Sequence, residues 1–213
     1  SNTLLRWRFR DHCPGGTQNM NFDWHTLLGT GASILLLALI VPYIRSIVSS
    51  TTRPSAVSWF GWALLFAIAT VAQASKGIDW SLAIPLISTI STTIIAFTAL
   101  HLGRAVWTRA DGICIVLGII AVILWAITKE PLTAIILIII ADFFVTVPTI
   151  VKTYQDPTSE PSTLWVLYVI GVTLELIATQ EFTVYNLLFP IYTVIGSAVI
   201  MVLALRGRFT SPP

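Results

Sequence analysis

Seven apolar runs, each long enough to cross a lipid bilayer as a helix, constrain this chain more than any other feature. Crossing the hydrocarbon takes about 20 apolar residues, and lipid offers the backbone no partner, so such runs are predicted to be helical. They cover residues 27–46, 56–75, 80–100, 112–128, 132–151, 162–179 and 184–205. Only 10% of the residues are charged, whereas a soluble domain carries about 25%. The sequence therefore predicts an all-α integral membrane protein with seven transmembrane helices.

The basic residues between these runs predict which way the chain faces. One side of the membrane would carry Arg45, Arg53, Arg104, Arg109, Lys152, Arg206 and Arg208, and the other would carry Lys76 and Lys129. Lys and Arg concentrate in cytoplasmic loops, so we expect an outside N-terminus and a cytoplasmic C-terminus in the cell inner (plasma) membrane. Residues 1–19, SNTLLRWRFRDHCPGGTQN, carry three more arginines, and Met20 is the expected true start.

Two stretches repeat the same order of a proline, a polar loop and a tryptophan: VPYIRSIVSSTTRPSAVSWFGW at 41–62 and VPTIVKTYQDPTSEPSTLWVLY at 147–168. An offset of 106 places Pro42 on Pro148, Thr52 on Thr158, Trp59 on Trp165 and Trp62 on Tyr168. The same offset places helices 1–3 on helices 5–7 and leaves helix 4 as an inversion linker. Because three helices end on the opposite side from their start, this odd helix makes the two bundles parallel. The predicted parts are a tail (1–23), a first bundle (24–101), the linker helix (102–130), a second bundle (131–206) and a cytoplasmic tail (207–213).

This arrangement resembles the SWEET and PQ-loop superfamily of transporters and receptors. In that superfamily each three-helix bundle carries a Pro-Gln pair near the end of its first helix, and here the pairs are Pro42-Tyr43 and Pro148-Thr149. The chain also resembles PnuC-type vitamin transporters, which share the fold and use a Trp-x-x-Trp element in substrate recognition. The stretch WFGW at 59–62 has that spacing. The resemblance implies a cavity between the bundles, lined by helices 3 and 7.

The prolines are candidate hinges. A proline inside a helix removes one hydrogen bond and clashes with the carbonyl four residues back, so it kinks the helix. Pro42 and Pro148 lie near the cytoplasmic ends of helices 1 and 5, and we expect them to act as hinges for alternating access. Pro85 and Pro190, in helices 3 and 7, are one residue out of register under the offset. The alternative is that prolines are simply more frequent in membrane helices than in soluble ones.

Polar side chains inside the spans are candidate solute contacts, because in lipid they need partners or water. These residues are Gln73, Ser88, Ser91, Thr92, Asn186, Tyr192 and Ser197. Under the offset Ser91 aligns with Ser197. Asn186 is the leading contact, because an amide both donates and accepts hydrogen bonds. The alternative for the hydroxyls is a hydrogen bond to their own helix.

Trp59 and Trp62 are the candidate aromatic contacts. Their rings would stack on a sugar or on a heteroaromatic base, and Trp62 lies one turn deeper in the span than Trp59. The alternative is an aromatic belt, because tryptophans concentrate at the two membrane interfaces.

Two carboxyl groups lie deep in the predicted spans, Asp142 in helix 5 and Glu175 in helix 6. An ionisable residue at that depth indicates a functional site by default. Burial favours the uncharged form of a carboxyl, so both are candidate proton-coupling residues. The alternatives are a neutral acid hydrogen-bonded across helices, or a partner for a cation. Leu36 and Ala69 occupy the matching positions of the first bundle, so any role would be asymmetric.

Enzymatic chemistry is not predicted. His12, His25 and His101 are scattered, and no two of them have metal-ligand spacing. Cys13 and Cys114 cannot provide a disulfide framework. We therefore expect no catalytic residue, metal, cofactor or nucleic-acid partner. The expected partners are a small solute and the lipid bilayer, and the protein is expected to be a monomer or a homo-oligomer.

The pattern as a whole favours a transporter of a small polar, sugar-like solute that works by alternating access between the two bundles. One alternative is a facilitator of a vitamin or nucleoside, similar to the PnuC type. The other is a receptor or scaffold on the same fold that does not transport.

Overall fold

The computed structural model describes residues 24–74, 83–108, 111–127, 131–180 and 182–210. Its helices are α1 (Trp24–Ala38), α2 (Ile40–Val48), α3 (Ala56–Ala74), α4 (Ala83–His101), α5 (Asp111–Ile127), α6 (Pro131–Gln155), α7 (Ser162–Ile177) and α8 (Val184–Thr210). A 3₁₀ turn at Pro157–Ser159 lies between α6 and α7. Within the described residues the sole extended pairing is an isolated bridge between Ser55 and Val106. The all-helical prediction is therefore confirmed for this part of the chain.

Three helical segments are long and apolar enough to cross a membrane: Trp24–Val48, which joins α1 and α2, Ile135–Gln155 and Asn186–Gly207. Shorter apolar helical segments of 10–17 residues lie in α3, α4, α5 and α7. Large apolar side chains point outwards, with Val71 and Ile127 exposed by 71% and 70%. An outer surface of this kind suits lipid better than water. These features indicate that the chain is associated with a membrane.

The helix that contains Pro42 is interrupted, and the helix that contains Pro148 is not. α1 ends at Ala38, whose carbonyl lies four residues before Pro42 and so receives no helical hydrogen bond from it. The helix resumes after Leu39, where the Tyr43 N–H donates to the Leu39 carbonyl at 3.1 Å. α6 runs through the buried Pro148 to its end. The two candidate hinges therefore differ: Pro42 lies just after a break between two helices, whereas Pro148 lies inside a continuous helix.

The helices form two units with the same packing order. In the first unit, α1 to α4, the last helix α4 packs against both α2 and α3. In the second unit, α6 to α8, the last helix α8 packs against both α6 and α7. Between the units, α1 packs against α7 and α3 packs against α6. With α1 and α2 counted together as one helix, the first helix of each unit thus packs against the second helix of the other unit. This reciprocal pattern agrees with the sequence repeat. The connecting helix α5 packs against α6.

In both of these helix pairs, α3 with α6 and α1 with α7, a glycine packs against an aliphatic side chain of the other helix. A Cβ added to Gly61 on α3 would lie 2.5 Å from a Val145 methyl on α6. A Cβ added to Gly171 on α7 would lie 2.5 Å from a Leu36 methyl on α1. Small residues let membrane helices approach closely, so the two glycines set the distance between the units.

The third helices of the units, α4 and α8, align with an offset of 105 residues. This is one residue fewer than the offset of 106 that aligns the second helices, α3 and α7. Ile95 and Ile200 are each 1% exposed, and Ala99 and Ala204 are 1% and 2% exposed. Ile95 and Ala99 are packed into the hydrophobic core of the first unit, and Ile200 and Ala204 are packed into that of the second. The connection before the third helix is therefore one residue shorter in the second unit, which also explains the register of Pro85 and Pro190.

Candidate binding site between the two helix units

A cavity of about 360 Å³ lies between the two units. Side chains from α1, α2, α3 and α4 line one part of its wall, and side chains from α6, α7 and α8 line the other. Sites for small molecules commonly measure about 300–1,000 Å³. Because both units form the wall, any relative movement of the units would change the shape of this cavity.

Equivalent aromatic pairs from the two units face the cavity. The ring centroids of Trp59 and Trp62 lie 5.2 Å apart with the planes at 88°. Those of Trp165 and Tyr168 lie 5.6 Å apart with the planes at 68°. All four side chains line the cavity. The structure thus brings together both predicted tryptophans, whose contact with a solute stays a prediction. Trp165 and Tyr168 were not predicted as site residues, although the 106-residue offset already matched them to the first pair.

Hydroxyl groups of α4 and α8 line the cavity. They include the predicted contacts Ser88, Ser91 and Thr92 on α4 and Ser197 on α8, together with Thr193. Their contact with a solute stays a prediction. Thr92 Oγ1 lies 2.7 Å from the Ser88 carbonyl, and Ser197 Oγ lies 2.7 Å from the Thr193 carbonyl. These identical bonds, together with the core register, make Thr92 the structural counterpart of Ser197, in place of the predicted Ser91. Since both hydroxyl protons are directed at their own helix, these two oxygens can only accept hydrogen bonds from a ligand.

Asp142 projects from α6 into the cavity and gathers donors from several helices. The Tyr192 hydroxyl on α8 donates to Asp142 Oδ2 at 2.8 Å. Thr146, one turn along α6, donates to the same oxygen at 3.3 Å. The Trp62 side chain on α3 also lies beside this carboxyl group. Asp142, Tyr192 and Trp62 were each predicted as site residues, and the structure joins them in one cluster.

Glu175 lines the cavity from α7 with weaker contacts. Ser33 Oγ lies 3.4 Å from Glu175 Oε1, but it lies 2.9 Å from the Gly29 carbonyl, which is the better acceptor for its single proton. The Tyr168 ring is within electrostatic range of both Asp142 and Glu175. Among the described residues, neither of these carboxyl groups takes part in an ion pair. The two predicted acids therefore face a common space without a basic partner in that part of the chain.

A buried ionic cluster borders the cavity at the end where the loops after α2 and α6 meet. Glu160 forms an ion pair with Lys152, and their side chains are 0% and 3% exposed. The Tyr43 hydroxyl donates to both Glu160 oxygens, at 3.0 and 3.1 Å, and Trp165 Nε1 donates to one at 2.9 Å. Lys152 also donates to the Arg53 carbonyl at 2.6 Å. We call Glu160, Lys152, Tyr43 and Trp165 the Glu160 cluster.

The Glu160 cluster connects the two units and was not predicted. Tyr43 and Arg53 belong to the first unit, whereas Glu160, Lys152 and Trp165 belong to the second. The two loops also join directly, because the Arg53 N–H donates to the Ser159 carbonyl at 2.9 Å. From the sequence, Lys152 is only one of the basic residues that indicate orientation, whereas the structure buries it in the last turn of α6.

Of the predicted contacts, Asn186 does not line the cavity. Asn186 lies in the first turn of α8 and is exposed. The cavity-facing residues of α8 begin one turn further on, at Phe189, so Asn186 lies beyond the rim. Gln73 is on α3, but its side chain lies outside the described residues. Of the predicted hinges, Pro42 is half-buried in α2 and Pro148 is buried in α6.

Comparisons with protein-family models, with curated proteins and with solved structures found no match to this chain. In the described residues, no three His, Cys, Asp or Glu side chains come together as metal ligands. The features that indicate a function are therefore the cavity, its aromatic pairs, its two carboxyl groups and the Glu160 cluster.

Proposed function

We propose that this protein is a membrane transporter of a small polar solute, working by alternating access between its two three-helix units. In this proposal α1 and α2 together form one span, each of the other six helices forms another, and the loops around Glu160 face the cytoplasm. The observation that carries the proposal is a cavity lined by both units and bordered at one end by a buried cluster that also joins both units. A cavity of that kind opens to one side when the units separate at that end.

The Glu160 cluster is the proposed cytoplasmic gate. Separating the units there breaks three bonds: one from Tyr43 to Glu160, one from Lys152 to the Arg53 carbonyl, and one from the Arg53 N–H to the Ser159 carbonyl. The first two involve charged groups. The ion pair between Lys152 and Glu160 remains intact, because both residues belong to the second unit. Hydrogen bonds to charged groups contribute about 1.5–3 kcal/mol each. Breaking two such bonds is a cost that solute binding and new contacts at the opposite end can offset.

The interruption at Leu39 supports a hinge in the first unit. α2 carries Tyr43, and the missing hydrogen bond before Pro42 leaves the junction with α1 less constrained than a continuous helix. Movement of α2 relative to α1 would carry Tyr43 away from Glu160 without unfolding either helix. Pro148 lies at the matching place of α6 and is the proposed hinge of the second unit.

One observation favours the narrower alternative of a vitamin or nucleoside facilitator similar to the PnuC type. Both Trp59 and Trp62 line the cavity, and their rings meet edge to face. A heteroaromatic solute could stack on either ring, with offset or edge-to-face contacts of about 0.5–1.5 kcal/mol beyond the area that they bury. The sugar-like and heteroaromatic alternatives are separated by the ligand that binds.

The first experiment is a thermal-unfolding screen of the purified protein in detergent against sugars, nucleosides, amino acids, nicotinamide riboside and thiamine. A ligand at 100 times its dissociation constant stabilises the folded state by about 2.7 kcal/mol. Each hit is then tested for uptake into proteoliposomes. Trp62→Ala should weaken binding, whereas Trp107→Ala, which removes an exposed indole outside the cavity, should not.

Uptake that depends on Trp62 would support the transporter. Binding without uptake in either direction would instead favour a receptor on the same fold, and a well-folded protein that binds none of these solutes would count against the proposal.

A further inference from the structure

The charges that face the cavity have a single sign. Asp142 and Glu175 contribute carboxyl groups to its wall, and none of the described lining residues is a lysine, arginine or histidine. Lys152, which lies near the loop end of the cavity, is already paired with Glu160. A buried carboxylate needs a compensating positive charge or a proton. The described residues supply no such charge to Asp142 or Glu175.

The contacts of Asp142 suit an ionised carboxylate. The Tyr192 hydroxyl and the Thr146 hydroxyl both lie within hydrogen-bond distance of Oδ2. The Trp62 side chain is beside the same group, and an indole N–H can only donate. Three neighbours able to donate lower the cost of a negative charge on this carboxyl group, and a cation in the cavity would lower that cost further.

The aromatic wall has the same preference. Besides the two equivalent pairs, Tyr43, Phe66, Phe189 and Tyr192 line the cavity. The face of an aromatic ring attracts a cation, by about 0.5–1 kcal/mol at exposed sites and about 2 kcal/mol or more when the cation is desolvated. Tyr168 lines the same cavity and belongs to the same helix as Glu175, so a cation in the cavity would also be near an aromatic ring.

From this arrangement we propose that the solute is a small organic ammonium compound. Its charged nitrogen pairs with a carboxyl group of the cavity wall, Asp142 or Glu175, and its apolar part lies against the aromatic pairs. This inference rests on the proposed transport function, of which it names the substrate class. An anionic solute would meet two acids and no base on the described wall. A neutral solute would supply no positive charge to either carboxyl group, so each would then need a proton.

The test compares cations with neutral molecules of nearly the same shape. The pairs are choline with 3,3-dimethyl-1-butanol, and benzylamine with benzyl alcohol. Binding to the purified protein is followed by quenching of tryptophan fluorescence, because three tryptophans line the cavity. We expect at least one cation to bind ten-fold or more tightly than its neutral partner. In the double variant Asp142→Asn with Glu175→Gln, that preference should fall to less than three-fold.

The matched control is Asp156→Asn, which makes the same chemical change at a carboxyl group that caps the 3₁₀ turn and does not line the cavity. It should leave the preference for cations unchanged. If the double variant does not fold, Tyr192→Phe serves as the second test. This change keeps both carboxyl groups and removes one hydrogen bond to Asp142, so cation affinity should change while the neutral partner binds as before.

Several outcomes would overturn the inference: equal binding of cation and neutral partner, no binding by any member of either pair, or an unchanged preference in the double variant. Uptake of a sugar or nucleoside without ammonium binding would contradict this inference and still support the proposed transport function. Ammonium binding that depends on the two acids, without uptake into proteoliposomes, would support the site and contradict the transport function.

Discussion

The first unit, α1 to α4, and the second unit, α6 to α8, place aromatic pairs at equivalent positions of their second helices. Trp59 with Trp62 and Trp165 with Tyr168 both meet nearly edge to face, and all four rings line the cavity. The third helices repeat the same buried core and the same hydroxyl bonds. The repeat therefore reproduces the shape of the wall on both sides of the cavity.

The polar chemistry of the two units differs. The second unit contributes Asp142 and Glu175, whereas the matching positions of the first unit hold Leu36 and Ala69. Leu36 packs against Gly171, so the residue at this position of the first unit serves the contact between units. Its counterpart Asp142 instead accepts hydrogen bonds beside the cavity. We infer that a bound solute lies closer to the second unit than to the first.

The loops show the same asymmetry. Glu160 and Lys152 both belong to the second unit, and the offset aligns them with Pro54 and Ser46 in the first. The first unit adds the Tyr43 hydroxyl and the Arg53 carbonyl to the Glu160 cluster. A repeated fold thus shows which features follow from architecture and which belong to one copy. Three groups of substitutions test which features both units share and which belong to one of them.

The largest effect is expected for Glu160→Ala. Removing the carboxylate leaves the Lys152 ammonium buried without its counter-charge, which typically destabilises a protein by about 3–5 kcal/mol. Unfolding in detergent, followed by heat or denaturant, measures the loss. The double variant Glu160→Leu with Lys152→Met removes both charges and should recover most of the stability. A Glu160→Ala variant whose stability lies within about 1 kcal/mol of the original protein would mean that the Glu160 cluster contributes little to the stability of the fold.

A smaller effect is expected for Tyr43→Phe, which removes the bond to Glu160 across the units and keeps the ring. A hydrogen bond to a charged group contributes about 1.5–3 kcal/mol, so the loop end should open more often. In a background lacking Cys13 and Cys114, Ser197→Cys reports access to the cavity by its rate of reaction with a membrane-impermeant maleimide. We expect labelling from the loop side to rise about ten-fold, since about 1.4 kcal/mol corresponds to a factor of ten.

Tyr154→Phe is the control for this change, because Tyr154 is 63% exposed and does not line the cavity. Its loss of a hydroxyl should leave the labelling rate as it was. Equal labelling rates for the Ser197→Cys protein alone, with Tyr43→Phe and with Tyr154→Phe would show that the bond from Tyr43 to Glu160 does not restrict access at the loop end of the cavity.

The smallest effects are expected at the two glycines between the units. Gly61→Ala and Gly171→Ala insert a methyl group where an aliphatic side chain already lies, and overpacking costs about 1–3 kcal/mol. Gly61 should be the more sensitive, because Val145 is β-branched and stiff, whereas the end of Leu36 can turn away. Gly31→Ala is the control, since nothing lies within 4 Å of its added Cβ. Thermal unfolding that ranks Gly31→Ala as the most harmful would contradict the close approach of the units.

Much of the fold could be predicted from apolar run length, because a helix is the structure that satisfies its own backbone in lipid. The runs at 56–75 and 162–179 correspond closely to α3 (Ala56–Ala74) and α7 (Ser162–Ile177). Trp62 and Asp142 could be predicted as site candidates because such residues are unusual inside a span. Asn186 looked equally suitable, but its distance from the cavity depends on how α8 sits against its neighbours. Glu160 could not be predicted, because a loop acid is usually solvated.

The sequence by itself determined the helical class and the apolar outer surface, since each depends on residue type and spacing along one segment. The tertiary structure decided the one-residue change of register at the third helix, the pairing of Tyr43 with Glu160, and the shared cavity around Asp142 and Glu175. Those features require contacts between segments about 50 to 140 residues apart. The energy of such a contact depends on burial and distance, and neither quantity exists until the helices have packed.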